Sequence, residues 1–232
     1  MKAVFLSKFL EIGDVVNTVD NEIHVFTQFF IHRHAMRNHE LRHCLMANVM
    51  NPYITKIHLL NERIYTKEEL GLAKIDDKSL ESRLVQYNTG GKRWTPQMAF
   101  QYIREHGLKG YFVFINADIF LDKTIRHLLA STIHEKKQAL ALLRYEYTDG
   151  SIGGMSAIMG GGGGGGNGPV GGLAACPLFG PRFDSQDTWI LHSNHLPKEK
   201  QERIFHYEFG KAGIDNKLIY LMSILGYEIM ND

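Results

Sequence analysis

Two cysteines in 232 residues, Cys44 and Cys176, are too few for a disulfide framework and lack metal-type spacing. Buried free thiols in a reducing compartment are the expectation. Net charge is also missing. A formal +1 gives no global field for nucleic acid, and no run of like charges forms a polyanion-binding tail, so a charged ligand must be met locally. No apolar stretch approaches bilayer-spanning length, and Lys8, Glu11 and Asp14 interrupt any signal-type segment near the start. A cytoplasmic protein with no transmembrane segment is expected.

A chain that is 44% hydrophobic and 22% charged is ordinary globular material, and 232 residues suit one α/β domain over 1–232. Its interior alternates strand and helix patterns. Residues 23–31, rich in β-branched and aromatic side chains, read as the first strand. Residues 35–50 read as a helix with Leu41, Cys44, Leu45 and Val49 on one face, stopped by Asn51-Pro52. Strands follow at 56–60 and 83–87, then a helix from Pro96 to about His106 closed by Gly107. The continuous apolar run 111–115 suits a central parallel strand covered on both faces. A helix over 122–135, a strand over 139–143, a helix near 216–225 and a last short strand complete the pattern. Such alternation predicts a doubly wound, mostly parallel sheet flanked by helices. Between 151 and 172 glycine dominates, including an unbroken run from Gly160 to Gly166, and a flexible loop is expected there.

Ligands of doubly wound sheets sit beyond the carboxyl ends of the strands, where the run 111–115 ends in Asn116-Ala117-Asp118. The spacing of two aims both polar side chains to one side. A carboxylate here suits a divalent cation bridging two phosphates; the plainer alternative is a cap on the next connection. Lys92 and Arg93 follow a strand in a glycine-loosened loop, where a guanidinium can pair with diphosphate oxygens or simply be solvated. Arg144 is suited to a donor sugar, to fixing aspartates by bidentate pairing, or to a structural salt bridge. Asp184 and Asp187 lie three apart beside Trp189; in a turn entering a helix their carboxylates reach a common cavity and the indole can stack on a sugar, or one Asp caps that helix. His39-Glu40-Leu41-Arg42-His43 spells H-E-x-x-H, but Arg37 and Arg42 beside it and the absence of a third ligand at customary distance argue against zinc.

The chain resembles the GT-A glycosyltransferases, whose acidic metal motif stands at this strand end. It is closer to a group found in large DNA viruses and some bacteria, with N-x-D-I, a following Arg, D-S-Q-D-x-W-I and a late G-x-D-N. Here these are Asn116 to Ile119, Arg144, Asp184 to Ile190, and Gly213-Ile214-Asp215-Asn216, in order across roughly residues 23–230. The resemblance implies a GT-A, Rossmann-like fold and transfer of a sugar from a nucleotide-sugar donor, UDP-sugar favoured, to a glycan or other hydroxyl acceptor. It implies Asp118 as ligand of Mn²⁺ or Mg²⁺, and Thr27 and Gln28 at the base or ribose, with Thr27 preferred. Asp187 is expected as the base that deprotonates the acceptor in an inverting reaction, or its orienting group in a retaining one, with Asp184 or Asp215 in support. A sugar-nucleotide nucleotidyltransferase and a non-catalytic glycan-binding module of the same fold are the alternatives.

Overall fold

The computed structural model of the chain describes residues 2–4, 20–146, 186–211 and 213–231. The glycine-rich segment 151–172, Cys176 and Asp184 lie outside them. Among the described residues the chain builds a seven-stranded mixed sheet and a small three-stranded one.

The large sheet grows from β2 (Ile23–Thr27), in which every residue is buried. It pairs in parallel with β3 (Lys56–Asn61) on one side and β5 (Tyr111–Ile115) on the other, and β4 (Leu84–Asn88) extends the sheet beyond β3. Pleating sends Val25, Val113 and Ile115 into the core on one face and Phe26, Phe112 and Phe114 into the core on the other. Two buried faces explain why β5 reads as an unbroken apolar run. Gly110 lets β5 start close to β2: its φ is 99°, and a Cβ there would lie 2.2 Å from the carbonyl oxygen of Glu22. That same carbonyl accepts the Tyr111 amide at 2.7 Å.

Helix α1 (Ala35–Met50) forms as expected, with Leu41, Cys44, Leu45 and Val49 buried. Asn48 and Asn51, at its end, donate to carbonyls of Ile119 and Leu121 respectively, and Asn48 also accepts the Leu121 amide. These bonds hold β6 (Ile119–Leu121), and so the residues just before it, against α1. A helix the sequence reading passed over, α2 (Asp77–Arg83), is started by Asp76, which accepts the Ser79 amide. Thr95 caps α3 (Pro96–Glu105) through the Met98 amide, and Pro96 sits in the first turn where it costs no hydrogen bond.

Two expectations need correction. Residues 122–135 are not an α-helix but two 3₁₀ segments, Lys123–Ala130 and Thr132–His134. The buried pair Ile125 and Leu128 is three residues apart, a spacing that a three-residue turn serves as well as an α-helix. The stretch after Asp187 does not enter a helix either. It is strand β9 (Thr188–His192), which runs antiparallel between β5 and β7 (Gln138–Leu142). Chain-terminal α4 (Glu199–Glu202), α5 (Ile214–Ile224) and β10 (Glu228–Asn231) follow, with β10 parallel to β7. The strand order is therefore β10-β7-β9-β5-β2-β3-β4. In the second sheet, β1 (Lys2–Val4) lies between β6 and β8 (Tyr145–Glu146).

From β2 the chain steps outward to β3 and β4, then returns with β5 to the opposite side of β2. The crevice between the carboxyl ends of β2 and β5 is thus the point where strand order reverses, the usual ligand position of such sheets.

Candidate functional site

A cleft of about 300 Å³ opens at that point. Gln28 and Phe30, which follow β2, form one wall; Ile115, the last residue of β5, and Asn116 to Asp118 after it form the floor beside it. Arg93 and Trp94, from the turn before α3, face Phe209, Gly210 and Lys211. These two segments are joined by the Phe209 amide donating to the Trp94 carbonyl at 2.9 Å and by ring stacking of Trp94 on Phe209, centroids 4.2 Å apart. Lys2 of β1 and Arg37 of α1 complete the lining. The lining therefore carries four cationic side chains and one carboxylate, Asp118.

Asp118 is 4% exposed. Its Oδ2 accepts from Lys2 Nζ at 2.7 Å and from Arg37 Nη2 at 3.0 Å. Burial by itself would push this carboxyl up, but the two cations outweigh it and hold the group below its ordinary pKa. The Arg37 guanidinium also reaches Glu40 through Nη1.

Asp187, which like Arg144 lies outside the cleft lining, binds two partners of the expected set. Asn116 Nδ2 donates to Oδ1 at 2.7 Å and Arg144 Nη1 to Oδ2 at 2.5 Å. The backbone is tied as well: the Asn116 amide donates to the Asp187 carbonyl at 3.3 Å, and the Asp187 amide to the Leu142 carbonyl at 3.1 Å. The antiparallel entry of β9 brings these three residues together, since it sets Thr188 opposite both Ile115 and Leu142.

The remaining expected residues divide. Gln28 lines the cleft and is 8% exposed; its Nε2 has no hydrogen-bond partner among the described residues. Thr27 is buried at the end of β2, outside the lining, and its Oγ1 is likewise unpartnered among them. Arg93 lines the cleft; Lys92 does not, and its carbonyl accepts from Thr89 Oγ1. Trp189 is buried in β9, edge-on to Phe209 with centroids 5.1 Å apart, so the indole at the cleft is that of Trp94. Asp215 lies in the first turn of α5.

Sequence reading missed Lys2, Arg37, Trp94 and the segment Phe209 to Lys211. Trp94 had a signal, since it adjoins Arg93 and precedes the Thr95-Pro96 helix start. Arg37 was weighed only as a charge beside the H-E-x-x-H pattern, whose Glu40 it engages. Lys2 had none.

A divalent ion here would need several oxygen ligands. Among the described residues no group of three or more His, Cys, Asp or Glu side chains is placed to hold one. Asp118 Oδ2 is already shared by two cations. As arranged, these residues do not fit Mn²⁺ or Mg²⁺, which seek several oxygens and no adjacent positive charge. No described helix is long and apolar enough to cross a membrane.

No family model and no curated protein matches this chain.

Proposed function

We propose that the protein is a GT-A-type glycosyltransferase, taking a sugar from a nucleotide-sugar donor, UDP-sugar first among the candidates, to a hydroxyl of a glycan or other acceptor. The observation that carries this reading is the cationic cleft at the reversal point of the sheet, lined by Lys2, Arg37, Arg93 and Lys211. A diphosphate needs concentrated positive charge in a partly dry site, and oriented cations stabilise a departing nucleotide where charge develops on it. The unpartnered amide of Gln28 is a donor for a base or ribose oxygen. Aromatic rings of Phe30, Trp94 and Phe209 supply apolar contact for a sugar or base.

Within this reading Asn116 is oriented by Asp187, and Asp187 is oriented by Arg144. Asp187 serves as base for an acceptor hydroxyl only on releasing one of the two hydrogen bonds it accepts; its engagements favour a positioning role. Asp215, or Asp184 beyond the described residues, then supplies the acceptor-side carboxylate. Assistance by Mn²⁺ or Mg²⁺ at Asp118, as the sequence resemblance implies, requires Lys2 and Arg37 to withdraw, and no step here is routed through it. A cytoplasmic setting accords with the buried free thiol of Cys44.

Calorimetric titration of UDP, GDP and their sugar conjugates, with and without Mn²⁺, tests the reading. Micromolar binding of one nucleotide, with release of sugar from its conjugate, is the expected result. Folded protein that binds no nucleotide but takes up glycan saturably without turnover would make it a binding module. Turnover of a nucleoside triphosphate with a sugar phosphate would make it a nucleotidyltransferase.

A further inference from the structure

Asp118 stands where the resemblance implies a metal ligand, yet what it holds is two side-chain cations. We propose that the cleft grips the diphosphate of its ligand directly through Lys2, Arg37 and Arg93, with no divalent cation, and that Asp118 anchors Lys2 and Arg37 in place of a metal. The inference deepens the nucleotide-sugar reading and rests on it for the identity of the ligand.

Donor capacity supports it. An ammonium has three N–H donors and a guanidinium five. Lys2 gives one to Asp118, and Arg37 uses Nη1 on Glu40 and Nη2 on Asp118, so both keep donors for phosphate oxygens. Arg93 is exposed at the cleft and has no carboxylate within ion-pair distance among the described residues. Lys211 stands at the rim, paired to Glu208 at 2.7 Å. Glu40 and Glu208 pair with cleft cations without lining the cleft themselves, so the lining presents mainly positive charge to a ligand.

Geometry opposes a metal at the same place. A divalent ion binds carboxylate oxygen at about 2.1 Å and prefers a shell of oxygens. At Asp118 it would meet Lys2 Nζ and Arg37 Nη2, which lie 2.7 and 3.0 Å from the same Oδ2. Like charges at that range repel strongly in a poorly solvated site. Gln28, 8% exposed, also lines the cleft, and its buried Nε2 has no hydrogen-bond partner among the described residues.

The test titrates UDP and, separately, inorganic pyrophosphate into the full chain in EDTA at low salt, then repeats both with Mn²⁺. Binding of both probes in EDTA is expected, with Mn²⁺ altering the affinity less than about threefold and added salt weakening it. Lys2→Met and Arg93→Gln should each weaken pyrophosphate binding about tenfold through loss of a charge-assisted hydrogen bond. Asp118→Asn should loosen the two anchored cations and weaken binding by about tenfold at most, still without Mn²⁺ dependence. UDP binding that appears only with Mn²⁺ and vanishes in Asp118→Asn overturns the inference and leaves the transferase reading standing. Pyrophosphate bound in EDTA without any nucleotide binding supports the anion site and removes the transferase reading. Neither probe binding under either condition overturns both. If Lys2→Met or Asp118→Asn fails to fold by thermal melt, Arg93→Gln decides, because its side chain is exposed.

Discussion

Asp187 accepts Asn116 on one carboxylate oxygen and Arg144 on the other while remaining 5% exposed, so a single side chain sets the orientation of two others. Asp187→Asn retains the shape but loses the charge, and its amide cannot accept from both partners. We expect stability to fall by about 2 kcal/mol, because the partly buried Arg144 guanidinium loses this charge-assisted bond, and, on the proposed reading, nucleotide affinity to weaken as Asn116 is released. Urea denaturation and ligand titration of the variant check the two effects. At this scale the sequence showed which residue types were present but not which would meet. Asn116, Asp118 and Arg93 were chosen from their positions after strands and Gln28 from the family resemblance, and all four line the cleft. Lys2 was invisible, because nothing local to residue 2 predicts a partner 116 positions away. Trp189 and Trp94 exchanged roles, since a tryptophan's sequence neighbours do not show whether its strand is central or its ring reaches the crevice.

The rim of the cleft depends on where α3 begins. Thr95 supplies the cap that orders its first turn directly after Arg93 and Trp94, and the helix buries Phe100, Tyr102 and Ile103. Thr95→Ala should therefore cost about 1 kcal/mol of stability and loosen the Arg93 side of the cleft. Chemical denaturation reads the first effect, and pyrophosphate affinity the second. Elements with a strong local pattern, such as α1, α3 and β5, matched their expected spans within a residue or so. Strand β9 did not, because an aspartate-rich approach to an apolar run suits a helix start as well as a strand. Pairing with β5 and β7, both distant in sequence, settled it. The same event joined Asn116, Asp187 and Arg144.

Across the molecule, three buried histidines make stability depend on pH. Burial lowers His24, takes His58 down to about 3 with a further push from the neighbouring His24, and takes His192 down to about 4. A depressed native pKa means that the unfolded chain takes up protons first as pH falls. Their contribution is thus complete above the unfolded value near 6.5 and is lost progressively toward pH 4 and below, approaching about 1.4 kcal/mol per pH unit for each of His58 and His192. Thermal melts from pH 7.5 to 4.5 should show a steady fall in Tm. His58→Phe should flatten that slope, since its ring already stacks on Phe26 with centroids 4.6 Å apart.

Periodicity and punctuation determined, from the sequence alone, that strands and helices alternate, that β5 is covered on both faces, and that polar residues stand at its carboxyl end. These are local consequences of burial and backbone chemistry. Tertiary structure decided that β9 runs antiparallel through the sheet and that β1 carries Lys2 beside Asp118. It thereby decided that the carboxylate after the central strand is held by two cations, Lys2 and Arg37. Pairing between distant segments depends on what the whole sheet can bury and satisfy, and no window of sequence contains that information.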